Sequence, residues 1–343
     1  MRSRSSQLFR ISSCPAVLST ALFVAATLTS AANAQSVFSL GGKEYAVKDL
    51  GVSHQQAWFD VENERFEKSK RIVDDIVFDM YVEAEAKKAG KSKETFEEDF
   101  AKVKEATDKD AKVWFDKNKD RVPYPYEQIK GEIKKLLASE LIQEKRAKAL
   151  EDYKKKNKFA FTMTGPVAPV VQIATAGFPS RGPDNARVTI VEFADYQCPH
   201  CKAAATAMKG VVAKMKDKVR LIYLDFPINP SGISLTVAHG AVCADEQKKF
   251  WEYHHLAFDK QSTLTKDSPA ALAKELKLDE AAFSTCMGSA RPAERVAKAK
   301  AEGERLGVQG TPAIYINGVR MTHAPTEEEI TKHVNEALKG TAS

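Results

Sequence analysis

Two cysteines separated by two residues stand where a strand-like segment gives way to a helix-like one. Cys198-Pro199-His200-Cys201 follows an apolar, β-rich run that ends near Phe193, and a helix-compatible stretch from Lys202 to Lys216 comes after it. This layout predicts that Cys198 lies at a helix N-terminus, where free backbone N–H groups and the helix dipole favour a thiolate. Because the thiolate is the form of cysteine that attacks disulfides, the motif predicts a redox-active thiol.

Other uses of the two cysteines stay open at this point. Cys198 and Cys201 could form a structural bridge or half of a zinc site, although no second Cys/His pair at zinc spacing occurs in the sequence. A copper or zinc site that uses Cys198, His200 and Cys201 is a further alternative. The redox interpretation is preferred because it uses the strand–motif–helix order as well as the spacing.

The first 34 residues have the layout of a signal peptide. Three arginines come first, and a short apolar stretch follows from Ala16 to Leu28. Ala32-Asn33-Ala34 then has the small residues of a signal-peptide cleavage site. We therefore predict cleavage after Ala34 and a periplasmic or secreted protein, with an uncleaved anchor as the alternative. No later apolar run is long enough to cross a bilayer.

Charge and cysteine count narrow the function further. Cleavage would lower the formal net charge from +6 to +3, because it removes three arginines and no acidic residue. A charge this small, with Lys and Glu interleaved, argues against a nucleic-acid partner. Cleavage also removes Cys14 and leaves four cysteines, an even number that fits disulfides in an exported protein. We expect no cofactor.

The chain of 343 residues has room for two domains, and its composition changes near residue 162. Residues 35–161 are rich in Lys, Glu and Ala and predict an all-α domain, opened by a short hairpin that turns at Gly41-Gly42. A first helix should end at Gly90, another should begin near Thr107, and a long one should run from Tyr126 to Lys156. The apolar stripes of these helices are read as core or as seams for partner helices.

A second domain, of α/β type, should follow a linker over residues 162–182. Gly165-Pro166 and Gly182-Pro183 bracket this irregular segment. Residues 183–343 then alternate strands with helices, and a long helical stretch occupies about residues 231–305. The predicted strands are Arg187–Phe193, Val219–Phe226, Ala313–Ile316 and Val319–Met321, the last two joined by a turn at Asn317-Gly318.

These residues resemble the thioredoxin superfamily and, within it, the DsbA-like thiol oxidoreductases of the periplasm. The resemblance rests on Glu192-Phe193, the Cys-Pro-His-Cys tetrad, Gly310-Thr311-Pro312 and the Asn317-Gly318 hairpin. It implies an α/β thioredoxin-like fold. The 114 positions from Cys198 to Pro312 exceed the spacing of a plain thioredoxin, and the excess resembles the helical subdomain inserted in DsbA-like proteins.

The resemblance also implies roles for the motif itself. Cys198 would be the exposed nucleophile, and Cys201 would be the resolving thiol of the same redox disulfide. His200 would stabilise the Cys198 thiolate; a merely exposed histidine is the alternative. Stabilising the thiolate stabilises the reduced protein, which makes its disulfide a stronger oxidant, as in DsbA.

Three further residues receive roles from the resemblance. Glu192, on a buried strand, would shuttle the proton of Cys201; a solvent-facing acid is the alternative. Thr311 and Pro312 would form a cis-proline loop whose backbone pairs with an extended substrate chain. A trans proline in an ordinary loop is the alternative there.

Two cysteines and three histidines remain in the predicted insertion. Cys243 and Cys286 would form a structural disulfide of a kind also met in some DsbA-like proteins, with two buried free thiols as the alternative. His239, His254 and His255 are read as surface or packing residues, and no metal site is predicted from them.

The N-terminal region resembles the helical chaperone domain of SurA-type foldases, without their prolyl-isomerase domain. This second resemblance rests on Phe38–Tyr45, on the helix end Glu83–Lys88 and on the long closing helix. It implies a module that binds clients or joins subunits, so a homo-oligomer through this domain is one possibility.

The sequence as a whole predicts an exported thiol:disulfide oxidoreductase that acts on unfolded or disulfide-containing exported proteins. The Pro-His pair between the cysteines favours an oxidase recycled by a DsbB-like membrane partner. The long N-terminal domain and Thr311 favour an isomerase or reductase, oligomeric and served by a DsbD-like partner. We prefer the oxidase; a non-enzymatic chaperone and a metal-binding protein are the alternatives from other classes.

Overall fold

The computed structural model describes residues 36–119 and 122–340, which fall into two compact units divided after Lys48. The predicted signal peptide and its cleavage after Ala34 lie outside the described residues. In the first unit, β1 (Ser36–Leu40) pairs antiparallel with β2 (Lys43–Ala46). Gly41 and Gly42 join them with φ of 59° and 77°, values that a tight hairpin turn requires, so this predicted hairpin is present.

The second unit begins with four helices. They are α1 (Val52–Ala89), α2 (Lys93–Ala101), α3 (Asp108–Asn118) and α4 (Tyr126–Lys156). At 1.5 Å per residue α1 is about 57 Å long, and Gly90 ends it in the left-handed conformation. None of the helices within residues 36–119 and 122–340 combines the length and apolar character needed to cross a membrane.

Aromatic side chains hold α1, α2 and α4 together. Tyr81 of α1 contacts Phe96 and Phe100 of α2 and Tyr153 of α4, with ring centroids 5.7–6.2 Å apart. These edge-on contacts are the geometry that aromatic pairs prefer. The helical region therefore has an apolar centre of its own, although several apolar side chains of α1 remain exposed.

A five-stranded mixed sheet forms the centre of the remaining chain. Its strands are β3 (Ser180–Arg181), β4 (Val188–Ala194), β5 (Val219–Asp225), β6 (Ala313–Ile316) and β7 (Val319–Arg320), in the order β3-β5-β4-β6-β7. The pair β4/β5 is parallel, as a crossover through α5 (Pro199–Lys214) requires. The other three pairs are antiparallel.

Five helices are inserted between β5 and β6, and one follows β7. They are α6 (Ile233–Glu246), α7 (Phe250–Asp259), α8 (Ser268–Glu275), α9 (Glu280–Met287), α10 (Arg291–Arg305) and, last, α11 (Glu327–Gly340). Cys243 of α6 and Cys286 of α9 are joined by a disulfide, with Cα atoms 5.7 Å apart. This bridge ties two helices of the insertion to each other.

Helices cover both faces of the sheet, and β4 shows how its side chains are divided between them. Val188 and Ile190 pack with α5 and α11, whereas Val191 and Phe193 pack with α10. Side chains of a strand alternate between the two faces. Glu192 therefore lies on the face that α5 covers, the helix that carries the two cysteines.

Candidate active site

The cysteine motif forms the beginning of α5. Cys198 is the N-cap residue, and Pro199 occupies the first helical position, where its missing N–H is no loss. The backbone N–H groups of Cys201 and Lys202 donate to the Cys198 carbonyl at 3.0 and 3.3 Å. Cys198 is partly exposed and Cys201 is buried, and both are free thiols. Only the first sulfur of the motif can therefore be reached from solvent.

The surroundings of Cys198 favour its thiolate. A hydrogen bond from the Cys201 thiol lowers the pKa of Cys198 most. The Thr311 side chain and the backbone N–H groups of Cys201 and His200 lower it further. Partial burial opposes them, but the pKa of Cys198 still falls from an ordinary 9.0 to about 5. At neutral pH this sulfur is a thiolate and is ready for attack on a disulfide.

Cys201 has the opposite character. Burial raises its pKa first, its role as hydrogen-bond donor to Cys198 raises it further, and the charge of Glu192 adds to both. Cys201 therefore keeps its proton at neutral pH and cannot compete as the attacking group. One thiolate and one protonated thiol, three residues apart, are what a dithiol exchange site needs.

Glu192 is a buried acid on the same side of the sheet. Its side chain is 1% exposed, and its Oε1 atom has no hydrogen-bond partner among the described residues. Burial, and to a smaller extent the charge of Cys198, raises the pKa of Glu192 to about 8. An uncharged carboxyl that can still release a proton near neutral pH suits a proton carrier.

A small cavity adjoins Glu192 and is shared with residues of α7 and β3. Its other lining residues include Arg181, Trp251, His254 and His255. Burial lowers the pKa of both histidines, that of His254 most strongly, so both rings are neutral. The two imidazoles therefore bring no positive charge to Glu192. His239 lies on α6 and is partly buried.

The loop before β6 faces the exposed cysteine. The peptide bond between Thr311 and Pro312 is cis, and the Sγ atom of Cys198 lies 3.2 Å from the Thr311 carbonyl oxygen. The next residue, Ala313, pairs with Phe193 of β4, which fixes the loop at the same end of the sheet as the motif. His200 is exposed on the first turn of α5 and contributes to the Cys198 thiolate through its backbone N–H.

Asp195 organises the turn into the motif, a role that sequence reasoning did not identify. Its Oδ2 accepts from the backbone N–H groups of Ile228 and Asn229 at 2.8 and 3.1 Å. Its Oδ1 accepts from the N–H of Gln197 at 2.6 Å and from the Ser234 hydroxyl. The only local signal is an acid directly after the strand, because the partners lie up to 39 residues away.

Gln261 is a second residue that the sequence did not reveal. Its side-chain amide donates to the carbonyls of Tyr196 and Cys198, both at 2.9 Å. These bonds join the helical insertion to the backbone of the motif. The insertion therefore helps to position Cys198 from outside the sheet.

Comparison with known proteins agrees with this architecture. Residues 175–336 match the family Thioredoxin_4, described as thioredoxin. The fold of the C-terminal half is thus a thioredoxin-like fold with a helical insertion, as predicted, and a helical region over α1–α4 precedes it. The SurA-like nature of that region and the boundaries at residues 161 and 183 stay predictions.

Individual relatives match a little under half of the chain. The Na⁺/H⁺ antiporter NhaA 1 of Salinispora arenicola is 30% identical over 162 residues, which are 47% of this chain and 25% of the antiporter. The probable disulfide bond formation protein D of Bacillus cereus is 29% identical over 174 residues, 47% of this chain and 78% of that protein. The chain thus spans about a quarter of the antiporters it matches and most of the Bacillus protein.

Solved structures match over the same region. The crystal structure of oxidised BdbD from Bacillus subtilis aligns with a TM-score of 0.46 and 26% sequence identity. The alignment covers 50% of this chain and 98% of the BdbD chain.

Proposed function

We propose that the protein is an exported thiol:disulfide oxidoreductase that oxidises other exported proteins through a Cys198–Cys201 disulfide. The observation that carries this proposal is the opposed acidity of the two thiols. The pKa of Cys198 is lowered to about 5, and burial raises that of Cys201. The name of the Bacillus cereus relative, a probable disulfide bond formation protein, supports the same activity.

In the proposed reaction the substrate is oxidised and the enzyme is reduced by two electrons. A substrate thiolate attacks Cys198 Sγ, the Cys198–Cys201 bond breaks, and Cys201 leaves as the thiolate. A second substrate thiolate then attacks the substrate sulfur of this mixed disulfide and expels the Cys198 thiolate. The substrate leaves with a new disulfide, and the enzyme retains both electrons as a dithiol.

The difference between the two thiols favours this direction. Cys198 is a good leaving group because it is stable as a thiolate, so the second step is easy. Cys201 must receive a proton as it leaves, since its buried thiolate is unfavourable. Glu192 is the proposed source of that proton, because its pKa of about 8 keeps it protonated at neutral pH.

Substrate binding is proposed at the loop of Thr311 and Pro312. This loop is partly exposed beside Cys198, and an extended chain that paired with its backbone would present a cysteine to Sγ. Unfolded or disulfide-containing exported proteins fit such a site, because it would bind the substrate backbone and select little among substrate side chains. A DsbB-like membrane protein is the proposed acceptor of the enzyme's electrons.

A disulfide isomerase is the second candidate, and one observation favours it. Ile72, Ile76 and Met80 follow one another at four-residue steps on α1 and are each at least half exposed. Such an apolar stripe on a helix is typical of a surface that joins subunits or holds clients. An isomerase of this kind would be oligomeric and kept reduced by a DsbD-like partner.

The deciding experiment measures the redox equilibrium of Cys198 and Cys201 against glutathione, together with the mass of the protein in solution. A potential near −120 mV, as in DsbA, and a monomeric mass would support the oxidase. A potential nearer −180 mV, as in protein disulfide isomerase, and an oligomeric mass would support the isomerase.

A substitution tests the activity itself. We expect Cys198→Ala to keep its far-UV circular dichroism spectrum and to lose both peptide oxidation and insulin reduction. Thr206→Ala, on an exposed part of α5, is the matched control and should keep both activities. Unchanged turnover in Cys198→Ala would refute the proposed Cys198–Cys201 site, and absence of both activities from the parent protein would favour a non-enzymatic chaperone.

A further inference from the structure

A cluster of three metal-ligating side chains lies away from the thiols, between the segment after β7 and the last helix. His323 belongs to that segment, and Glu329 and His333 belong to α11. One ligand atom from each of the three lies within 4.8 Å of the other two. Two imidazoles and one carboxylate form a donor set that is typical of zinc and related transition metals.

The helix presents two of these ligands in a fixed arrangement. Glu329 and His333 are four residues apart and therefore neighbours on one face of α11. Ile330 and Val334 follow them directly and are fully buried, so packing fixes the rotation of the helix. The carboxylate and the imidazole are thus held next to each other before any ion binds.

The His333 ring is oriented as a metal ligand would be. Its Nδ1 lies 3.3 Å from Oε2 of Glu336, a carboxylate that favours the proton on that nitrogen. When Nδ1 carries the proton, the lone pair is on Nε2, which is inaccessible to solvent and has no hydrogen-bond partner among the described residues. A carboxylate behind the metal-binding imidazole is the usual outer arrangement at zinc sites.

The distance from His333 to Glu329 leaves room for an ion. His333 Nε2 and Glu329 Oε2 are 3.9 Å apart, which is too far for a hydrogen bond. A tetrahedral ion with bonds of about 2.1 Å holds two such ligand atoms about 3.4 Å apart. A side-chain movement of about half an ångström would therefore close the pair around zinc.

His323 and Lys332 complete the surroundings. His323 is exposed and can turn towards α11, and the two imidazole rings are already 6.2 Å apart between centroids. Lys332 Nζ lies 3.4 Å from Glu329 Oε2, but both side chains are solvated, so this competing ion pair is weak.

We propose that His323, Glu329 and His333 bind one divalent transition-metal ion, with water completing the coordination. Such an ion would join the segment after β7 to α11. That segment is itself attached to β6, since the N–H of Met321 donates to the Ile314 carbonyl at 2.8 Å. The site is independent of the thiol chemistry and needs neither Cys198 nor Cys201.

Zinc itself is the probe, and Cys198 and Cys201 must be removed because cysteine thiolates are also zinc ligands. Full-chain protein with Cys198→Ser and Cys201→Ser, treated with a chelator, is titrated with zinc chloride by calorimetry. We expect one ion per chain. His323→Ala, Glu329→Gln and His333→Ala should each weaken binding at least tenfold, and Glu336→Gln should weaken it by about 10- to 100-fold.

Two controls separate a specific site from a general loss. His54→Ala, at an exposed histidine of α1, should leave the affinity unchanged, and Lys332→Ala should leave it unchanged or increase it. If His333→Ala fails to fold, the exposed His323→Ala still tests the site. Absence of saturable zinc binding, or binding that survives both His323→Ala and Glu329→Gln, would overturn the proposal. Neither result would bear on the proposed oxidoreductase, which is tested with its thiols intact.

Discussion

The Sγ atom of Cys198 lies 3.2 Å from the carbonyl oxygen of Thr311, although 113 residues separate the two in the chain. This contact joins the first turn of α5 to the loop that leads into β6. The Thr311 side chain is also one of the groups that lower the pKa of Cys198. The same loop thus adjoins the proposed substrate path and lowers the pKa of Cys198.

Removal of the Thr311 hydroxyl should make the protein a weaker oxidant. Thr311→Val keeps the shape of the side chain but removes the hydroxyl, which is one of the groups that lower the pKa of Cys198, so that pKa should rise from about 5. The reduced form is then less stabilised, and the equilibrium with glutathione should shift towards the Cys198–Cys201 disulfide. Thiolate absorbance at 240 nm, followed during a pH titration, measures the acidity directly.

Thr206→Val is the matched control for this change. Thr206 lies on α5, about two turns after Cys198. Its hydroxyl donates to the Lys202 carbonyl rather than to a sulfur. The control should leave both the titration and the glutathione equilibrium unchanged. An identical Cys198 titration in Thr311→Val and the parent protein would show that the hydroxyl does not act on the thiolate.

The buried acids Glu192 and Asp225 should make stability depend on pH. Burial raises the pKa of Glu192 from 4.5 to about 8 and that of Asp225 from 3.8 to about 7. Between the ordinary and the raised pKa of each acid, the folded protein binds more protons than the unfolded chain. The free energy of unfolding therefore falls as the pH rises through this range. Denaturant unfolding at pH 5, 6, 7 and 8 should follow that direction.

Two substitutions divide this pH dependence between its sources. Glu192→Gln should remove the decrease that extends to about pH 8, and Asp225→Asn should remove the part that ends near pH 7. Glu192→Gln should also slow thiol–disulfide exchange at Cys201 near neutral pH, because the proposed proton source for Cys201 is lost. Equal slopes in Glu192→Gln and the parent protein would mean that this carboxyl titrates normally.

The disulfide of the insertion should contribute to stability without taking part in exchange. Cys243 and Cys286 are 43 residues apart, and closing a loop of that length is worth about 4 kcal/mol in the chain-entropy model. Cys243→Ala with Cys286→Ala should lower the free energy of unfolding by roughly that amount. The glutathione equilibrium of the folded double variant should stay unchanged; a shift would show that the bridge acts on the thiols.

The sequence could predict the secondary-structure elements whose bounds depend on residues close together in the chain. The range of α4 is the predicted one, and α3 begins at the predicted position near Thr107. Both features depend on local periodicity or on residues three apart, since Thr107 and Asp110 form a reciprocal cap. Two elements were missed. The two-residue β3, predicted as linker, exists only through its pairing with β5, and the short α2 buries none of its side chains fully.

The candidate site divides in the same way. Cys198 and Cys201 were predicted from their spacing, and Thr311 and Pro312 were predicted from a family resemblance; their roles stay predictions. Asp195 was not found, because its hydrogen-bond partners lie in segments that only the fold brings together.

Asp195 should prove important for both stability and turnover. It is 2% exposed and accepts hydrogen bonds on both carboxylate oxygens, two of them from the backbone before the insertion. Asp195→Asn keeps one acceptor and replaces the other with a donor that would face the same N–H or hydroxyl groups. Loss of buried hydrogen bonds to a charged group should cost about 2–4 kcal/mol of unfolding free energy.

The same substitution should also loosen the turn that holds Cys198, so peptide oxidation should slow at pH 7 even where the variant is fully folded. Asp217→Asn, at an exposed site before β5, should change neither quantity. A fully stable Asp195→Asn with normal turnover would mean that the turn is held by the rest of the fold.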